Sequence, residues 1–180
     1  KADSMVDISL LEYCIREDLK MKAPRLMTVI DPIKVVLTNY PDGKTETMTA
    51  DNNQENEAMG TREMTFSKNL YIERNDFMEE PVKKFFRLAP APGEEHPRLK
   101  YAYIIKCEEV IKDEDGNIVE LHCTYDPESK SGSGANANRK VKGTLHWVNA
   151  EDAVDVETRV YDYLLKDDGS EEEGESKDFL

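Results

Sequence analysis

Cysteine is scarce in this chain. Cys14, Cys107 and Cys123 are the only three in 180 residues, an odd number at wide spacing with no C-x-x-C pair. A disulfide framework or a structural zinc site is therefore not expected, and small buried thiols in a reducing cytosol are. No apolar run approaches the roughly 20 residues that a membrane span needs. No signal-peptide pattern follows Lys1, so no secretory leader is expected within the chain. Positive charge is also short: 24 Lys and Arg stand against 38 Asp and Glu, for a net charge of −14. At face value that balance argues against nucleic acid, because gripping phosphate needs local positive potential. Catalytic signatures are missing too. There is no G-x-x-x-x-G-K-[ST] or G-x-G-x-x-G loop, no G-x-S-x-G and no H-E-x-x-H. The histidines His96, His122 and His146 lie far apart in sequence and are assigned surface or structural places. No catalytic residue and no metal ligand is expected here.

The distribution of charge changes the first impression. The segment 167–178 carries seven acids and one lysine, and reads as an acidic flexible segment. Three short stretches run the other way: Lys20–Arg25 at +3, Lys83–Lys106 at +4 and Arg139–Trp147 at +3. An acidic body can thus carry one basic face, provided the fold brings these stretches together.

Periodicity supplies the elements. Residues 8–22 predict one helix, with Ser9 and Glu12 at capping-box spacing and Leu10, Leu11, Cys14, Ile15 and Leu19 on one face. Pro24 ends it. Residues 29–40 predict a strand, Pro41-Asp42-Gly43 a turn, and residues 45–49 a returning partner. Residues 50–59 read as a polar loop, and 61–66 and 69–73 as short strands. Prolines make 88–97 a loop. The clearest signal is a hairpin over 101–125, turning at Asp113-Glu114-Asp115-Gly116-Asn117, with Cys107 opposite Cys123 and Ile105 opposite Tyr125. Residues 129–138, rich in Gly, Ser and Asn, predict a mobile loop. Residues 140–148 and 156–165 predict further strands. One helix followed by about eight short strands is expected to form a mainly β fold, a barrel or sandwich.

Two of the basic stretches interleave cations with aromatics. Lys83-Lys84-Phe85-Phe86-Arg87 does so, and Arg98-x-Lys100-Tyr101-x-Tyr103 repeats the mixture at strand spacing. Arg98 and Lys100, two apart on a strand, are expected on one face. Stacking rings plus forked guanidinium donors are what hold splayed single-stranded bases. The alternative is that Phe85 and Phe86 are core residues and the cations solvate an edge strand.

Longer strings carry a resemblance. SLLEYCIREDLKMKAPRLMTVID, GTREMTFSKNLYIERNDFMEEPVKKFFRLAP, KYAYIIKCEEVIKDEDGNIVELHCTYDPES and RKVKGTLHWVNAEDAVDVETRVYDYLL succeed one another in this order. Together they resemble the C-terminal half of the glutaminyl-tRNA synthetases, class I aminoacyl-tRNA synthetases. The archaeal and eukaryotic-type glutamyl enzymes share the fold and remain an alternative. The resemblance implies a mainly β architecture: an antiparallel anticodon-binding β-barrel, of the kind shared with a ribosomal 5S-RNA-binding protein, preceded by a short helix. It implies residues 1–25 as the end of a helical connector to the catalytic half. Residues 26–166 would be the proximal barrel, and 167–180 an acidic segment leading to a distal barrel. The HIGH and KMSKS-type motifs of the catalytic half are not in this sequence, so no cofactor is expected here, ATP and magnesium belonging to the full-length enzyme.

The partner implied is tRNA through its anticodon loop, together with the catalytic domain and distal barrel of the same enzyme. A cytoplasmic monomer without membrane contact is implied as well. The RNA-binding residues implied are Arg25, Lys84, Arg87, Arg98 and Lys100. Lys84 stands where the family places a base-reading glutamine, and Phe86 where it places a lysine. A rival from another class is a non-catalytic protein-interaction barrel whose acidic face and tail bind a basic partner.

Overall fold

Alternation of inward apolar and outward polar residues builds most of the elements. The structure is a computed structural model that describes residues 6–90 and 96–161. One helix, α1 (Ile8–Lys20), precedes nine strands: β1 (Pro32–Leu37), β2 (Glu46–Asp51), β3 (Thr61–Phe66), β4 (Asn69–Glu73), β5 (Arg98–Leu99), β6 (Ile105–Lys112), β7 (Ile118–Tyr125), β8 (Thr144–Leu145) and β9 (Trp147–Asn149). The described chain is thus mainly β with one short helix. Among these residues no helix is long and apolar enough to cross a membrane.

The helix starts two residues earlier than the capping box suggests. Asp7, not Ser9, is the cap, and its carboxylate accepts the Ser9 N–H at 2.8 Å. A carboxylate there also faces the positive end of the helix dipole, which favours it over a hydroxyl. The predicted apolar face forms, yet Leu10, Leu11, Ile15 and Leu19 all stay exposed, and so does Cys14. Only Cys107 and Cys123 are the buried thiols expected from composition. The far end of the helix is tied down by the loop after β2. Asn53, 1% exposed, donates to the carbonyls of Lys20 at 2.9 Å and Ala23 at 3.0 Å, and Asn56 donates to Met21 at 2.8 Å. These bonds satisfy carbonyls that a helix terminus leaves orphaned.

A five-stranded sheet runs β6-β7-β1-β4-β9, β2 pairs with β3, and β5 pairs with β8. The β1–β7 and β5–β8 pairs are parallel. The expected mainly β fold with a leading short helix is present, and the hydrogen-bonded strands do not themselves close into a ring among the described residues. Side chains, not ladders, join the sheets. Phe66 on β3 meets Tyr40, Tyr103 and Trp147 at 5.4, 5.4 and 5.2 Å between ring centres, and Tyr103 meets Tyr125 at 4.8 Å. One buried cluster takes residues from every sheet, including Val35, Met48, Leu99 and Leu145.

The pairing of β2 differs from the sequence expectation. It does not return along β1, which lies between β4 and β7. It pairs with β3 instead, Met48 opposite Met64. The physical reason is Glu46 at the start of β2. Its carboxylate accepts from Tyr40 at 2.9 Å, Tyr103 at 2.8 Å and Lys130 at 2.8 Å, and pairs with Lys44 at 2.6 Å. Those partners draw the strand across the core, away from β1. The 101–125 hairpin has the predicted register, with Ile105 opposite Tyr125 and Cys107 opposite Cys123. Two irregularities then offset each other, so that Glu109 faces His122 while Lys112 again faces Ile118. Asp113 closes the turn by accepting from the backbone of Asp115 and Asn117, and Gly116 supplies φ +85°. The strand predicted over 156–165 is absent from 156–161, and its remainder lies outside the described residues, as does the 167–178 segment.

Burial alone would raise the Glu46 carboxyl, but hydrogen bonds from Lys130, Lys44, Tyr103 and Tyr40 hold it down at about 2. A folded-state value depressed in this way stabilises the fold above the ordinary carboxylate pKa of 4.5, and the stabilisation is lost as pH falls toward 2. Glu46→Gln should cost about 2–3 kcal/mol at neutral pH and flatten the fall in stability between about pH 5 and pH 3. Denaturant titrations across that range measure both effects.

Candidate nucleic-acid interface

Two of the three basic stretches meet where β5 runs beside β8. Arg98 N–H donates to Gly143 at 3.0 Å, Lys100 N–H to Leu145 at 3.0 Å, and the Trp147 indole N–H to the Lys100 carbonyl at 2.8 Å. Along 142–147 the pattern is strict. Gly143, Leu145 and Trp147 are buried, and Lys142, Thr144 and His146 face outward.

The loop that carries the aromatic-basic string is fastened to this edge. Leu88 is buried, and its N–H donates to the Asp76 carbonyl at 3.0 Å. Phe86 lies against Gly143 so closely that a Cβ on residue 143 would sit 1.7 Å from the Phe86 carbonyl oxygen. Phe86 is 43% exposed, so it is not the core residue of the alternative reading, and the Lys142 ammonium stands 5.0 Å from its ring centre. Arg87 donates to the Asp76 carboxylate at 2.6 Å and keeps 47% of its side chain exposed. Burial pushes the Asp76 carboxyl up, and Arg87 pulls it back. Lys84 is exposed on the same loop, in the left-handed region at φ +71°.

Lys100 connects this surface to the first basic stretch. Its ammonium lies 5.4 Å from the Tyr101 ring centre, and Tyr101 is held at φ +65°. The Tyr101 hydroxyl is raised by burial and lies by the Gln54 side chain and the Asp51 backbone. One residue beyond Gln54, Glu55 takes Arg25 at 3.0 Å and Lys20 at 3.3 Å. The Arg25 N–H donates to Asn52 at 2.7 Å, and 38% of its side chain is exposed. A chain of neighbours therefore runs from Arg25 through the 51–55 loop and Tyr101 to Lys100, and Lys100 and Arg87 both lie within electrostatic reach of His146.

Arg98 does not join it. The residue is 9% exposed and turned inward. Its guanidinium donates to the carbonyls of Ala102 at 3.3 Å, Ala137 at 3.1 Å and Arg139 at 3.5 Å, to the Ser131 hydroxyl at 3.3 Å, and to the Ser129 carbonyl. The expectation that Arg98 and Lys100 share an outward face fails because β5 is only two residues long and both are buried. Arg98 instead clamps the 129–139 loop that the sequence marks as mobile.

Lys142 and His146 join Phe86 and Tyr101 on this surface, although the sequence reading gave His146 only a surface or structural place. The alternation Lys142-x-Thr144-x-His146 was a readable signal for two of them. Tyr101 was marked by its place in the Arg98-x-Lys100-Tyr101-x-Tyr103 string, while its left-handed backbone had no signal. A groove of about 810 Å³ exists elsewhere, lined by residues such as Met27, Met64 and Tyr71, and none of these cations lines it. No group of three or more His, Cys, Asp or Glu that could hold a metal occurs among the described residues. The arrangement can neutralise anions, fork hydrogen bonds to them and stack flat rings.

Residues 23–126 match the family model described as tRNA synthetases class I (E and Q), anti-codon binding domain, and residues 144–180 match a second model of the same description. The chain belongs to this family of class I synthetase anticodon-binding domains. Within it, the similarity is to glutamine–tRNA ligases. That of Clostridium perfringens is 56% identical over 180 residues, all of this chain and 32% of that protein. That of Clostridioides difficile is 53% identical over 180 residues, all of this chain and 31% of that protein. That of Nitrosomonas europaea is 50% identical over 179 residues, 99% of this chain and 31% of that protein. The chain spans about a third of the length of these relatives.

Arg98→Ala would take the charged donor from the buried Ser129 carbonyl and from the Ala137 and Arg139 carbonyls, and release the 129–139 loop. It should cost about 2–4 kcal/mol in a denaturant melt and speed amide exchange over residues 129–139. Gly143→Ala should cost about 1–3 kcal/mol by forcing the Phe86 loop off the edge of β8.

Proposed function

We propose that this chain is the anticodon-recognition part of a glutamine–tRNA ligase, gripping unpaired nucleotides of the tRNA anticodon loop. The observation that carries the reading is the run of Arg25, Tyr101 and Lys100, with Arg87 acting on the same His146 as Lys100 and Phe86 exposed next to Arg87, on a chain whose net charge is −14. An acidic protein attracts RNA only where its cations are gathered, and here they are gathered with aromatic rings. Arg87 and Arg25 supply forked donors for a base edge or a phosphate, and Lys100 supplies a point charge. Lys84 adds an exposed cation on the loop that carries Arg87. Arg98 serves by holding the 129–139 loop in place.

In this reading residues 26–166 form the proximal anticodon-binding barrel, closed by the shared aromatic core. Residues 1–25 end the connector to a catalytic half, and 167–180 lead toward a distal barrel. Ligation of glutamine with ATP and magnesium belongs to the rest of a full-length cytoplasmic, monomeric enzyme. The glutamine branch is preferred over the glutamate branch because relatives about half identical over this whole chain are glutamine–tRNA ligases.

In the natural full-length enzyme, Arg87→Ala should weaken binding of glutamine tRNA by about 1–3 kcal/mol, and Lys100→Ala should reduce the salt slope of binding by about one. Titrations of labelled tRNA at several salt concentrations read both. An unchanged dissociation constant for Arg87→Ala at low salt, with unaltered melting, rejects the assignment. Binding of a basic peptide in place of RNA would favour the protein-interaction alternative.

A further inference from the structure

His146 occupies the outward position between two inward residues, Leu145 and Trp147. Both neighbours are bonded to Lys100: Leu145 accepts its N–H at 3.0 Å, and the Trp147 indole donates to its carbonyl at 2.8 Å. This double bridge fixes the backbone of Lys100 beside His146. The Arg87–Asp76 pair, held by the Leu88 N–H on the Asp76 carbonyl, belongs to the loop that Phe86 seats against Gly143, three residues before His146. Three elements thus face the imidazole with charge: Lys100 from the turn after β5, Arg87 from the 82–88 loop, and Asp76 from the turn after β4.

We propose that His146, with Arg87 and Lys100, forms a phosphate-binding subsite for the RNA backbone, and that the imidazole takes up a proton when the phosphate binds. The inference rests on the anticodon-binding reading above and adds to it a residue and a pH response. The electrostatics of the free protein support it. Partial burial holds the His146 imidazole below its ordinary value, Lys100 and Arg87 press the same way, and Asp76 opposes them. The free site at neutral pH therefore holds two permanent cations and a neutral ring. A phosphodiester placed among them offsets the positive charge that Asp76 leaves uncancelled beside the ring, which favours the imidazolium. No bond between heavy atoms is made or broken; one proton moves from solvent to a ring nitrogen. Asp76 restrains Arg87 without filling the site, since Arg87 stays half exposed.

The sign comes from linkage. The protonated form binds more tightly, so affinity is greatest below the free-state value and declines as pH rises through the bound-state value. In the natural full-length enzyme at fixed salt, affinity for a synthetic anticodon stem-loop of glutamine tRNA should fall about three- to tenfold from about pH 5.5 to pH 8. His146→Gln should flatten that dependence while still binding RNA. His146→Arg should flatten it at the tight end. Trp147 is the single tryptophan of this chain, so a variant carrying every other tryptophan as phenylalanine reports both folding and ring titration at this position. Its emission midpoint should move to higher pH when the stem-loop is bound.

A pH dependence that survives in His146→Gln assigns the proton elsewhere and overturns the proposal. So does a flat profile in the wild-type enzyme that nevertheless binds the stem-loop; that result leaves the anticodon-binding reading standing. Failure to bind at every pH overturns both.

Discussion

The guanidinium of Arg98 is the fixed point around which the proposed interface is arranged. A buried arginine is tolerated only when its donors are met, because removing the ion from water costs several kcal/mol. Here they are met by carbonyls from two places, the turn after β5 and the 129–139 loop. Each carbonyl gains a charged donor, so a loop rich in glycine and serine is held against the short β5–β8 pair. The residues C-terminal to the loop inherit that position: Gly143 can then accept Phe86, Lys142 can stand over its ring, and His146 can face outward beside Lys100. Glu46 does the same from the opposite sign of charge, taking Lys130 at the start of the loop while tying β2 to Tyr103. Two buried or half-buried charges of opposite sign thus hold one polar loop at several points.

The outward cations are organised differently. Arg87 and Arg25 each rest on a carboxylate, Asp76 and Glu55, yet each keeps a large part of its side chain in water. Exposed ion pairs of this kind contribute about 0–1 kcal/mol. Such a pair aims a guanidinium without locking it away. A phosphate with full negative charge can share the arginine or replace the carboxylate at small cost. That balance explains how a protein with excess acid can keep an anion-binding face. The acids next to the cations position them, and the remainder repel nucleic acid from other surfaces.

Local pattern was legible where one face of a strand is buried and the other is not. β3, β4 and the register of the β6–β7 hairpin come from alternation and from the Asp113–Asn117 turn. Three features were not legible, each for a physical reason. The partner of β2 depends on Glu46 meeting Tyr103 and Lys130, which are 57 and 84 residues away. The cap of α1 moved from Ser9 to Asp7 because two competent acceptors stand two residues apart. The inward turn of Arg98 is hidden because charge arithmetic counts a cation without its direction, and a two-residue strand has too little alternation to assign one. The three basic stretches are joined in the fold through Gln54, Glu55 and Tyr101, but Glu55 could not be told from the rest of the chain's 38 acids.

Backbone strain sharpens the same picture. Lys84 and Tyr101 are the two non-glycine residues of the described chain with positive φ, at +71° and +65°. Side chains in that region meet a steric penalty, and it persists only where surrounding contacts enforce it. Tyr101 is enforced by the Leu99–Ala102 turn behind it and by the Gln54 and Asp51 contacts at its hydroxyl. Lys84 is enforced by the turn between Val82 and Phe85, which leaves Phe86 and Arg87 to reach β8 and Asp76. Glycine at either place would relieve the strain and remove the side chain that the surface presents. Tyr101 directly follows Lys100, and Lys84 lies on the loop that carries Arg87. Strain is therefore held at two side chains that the proposed interface presents.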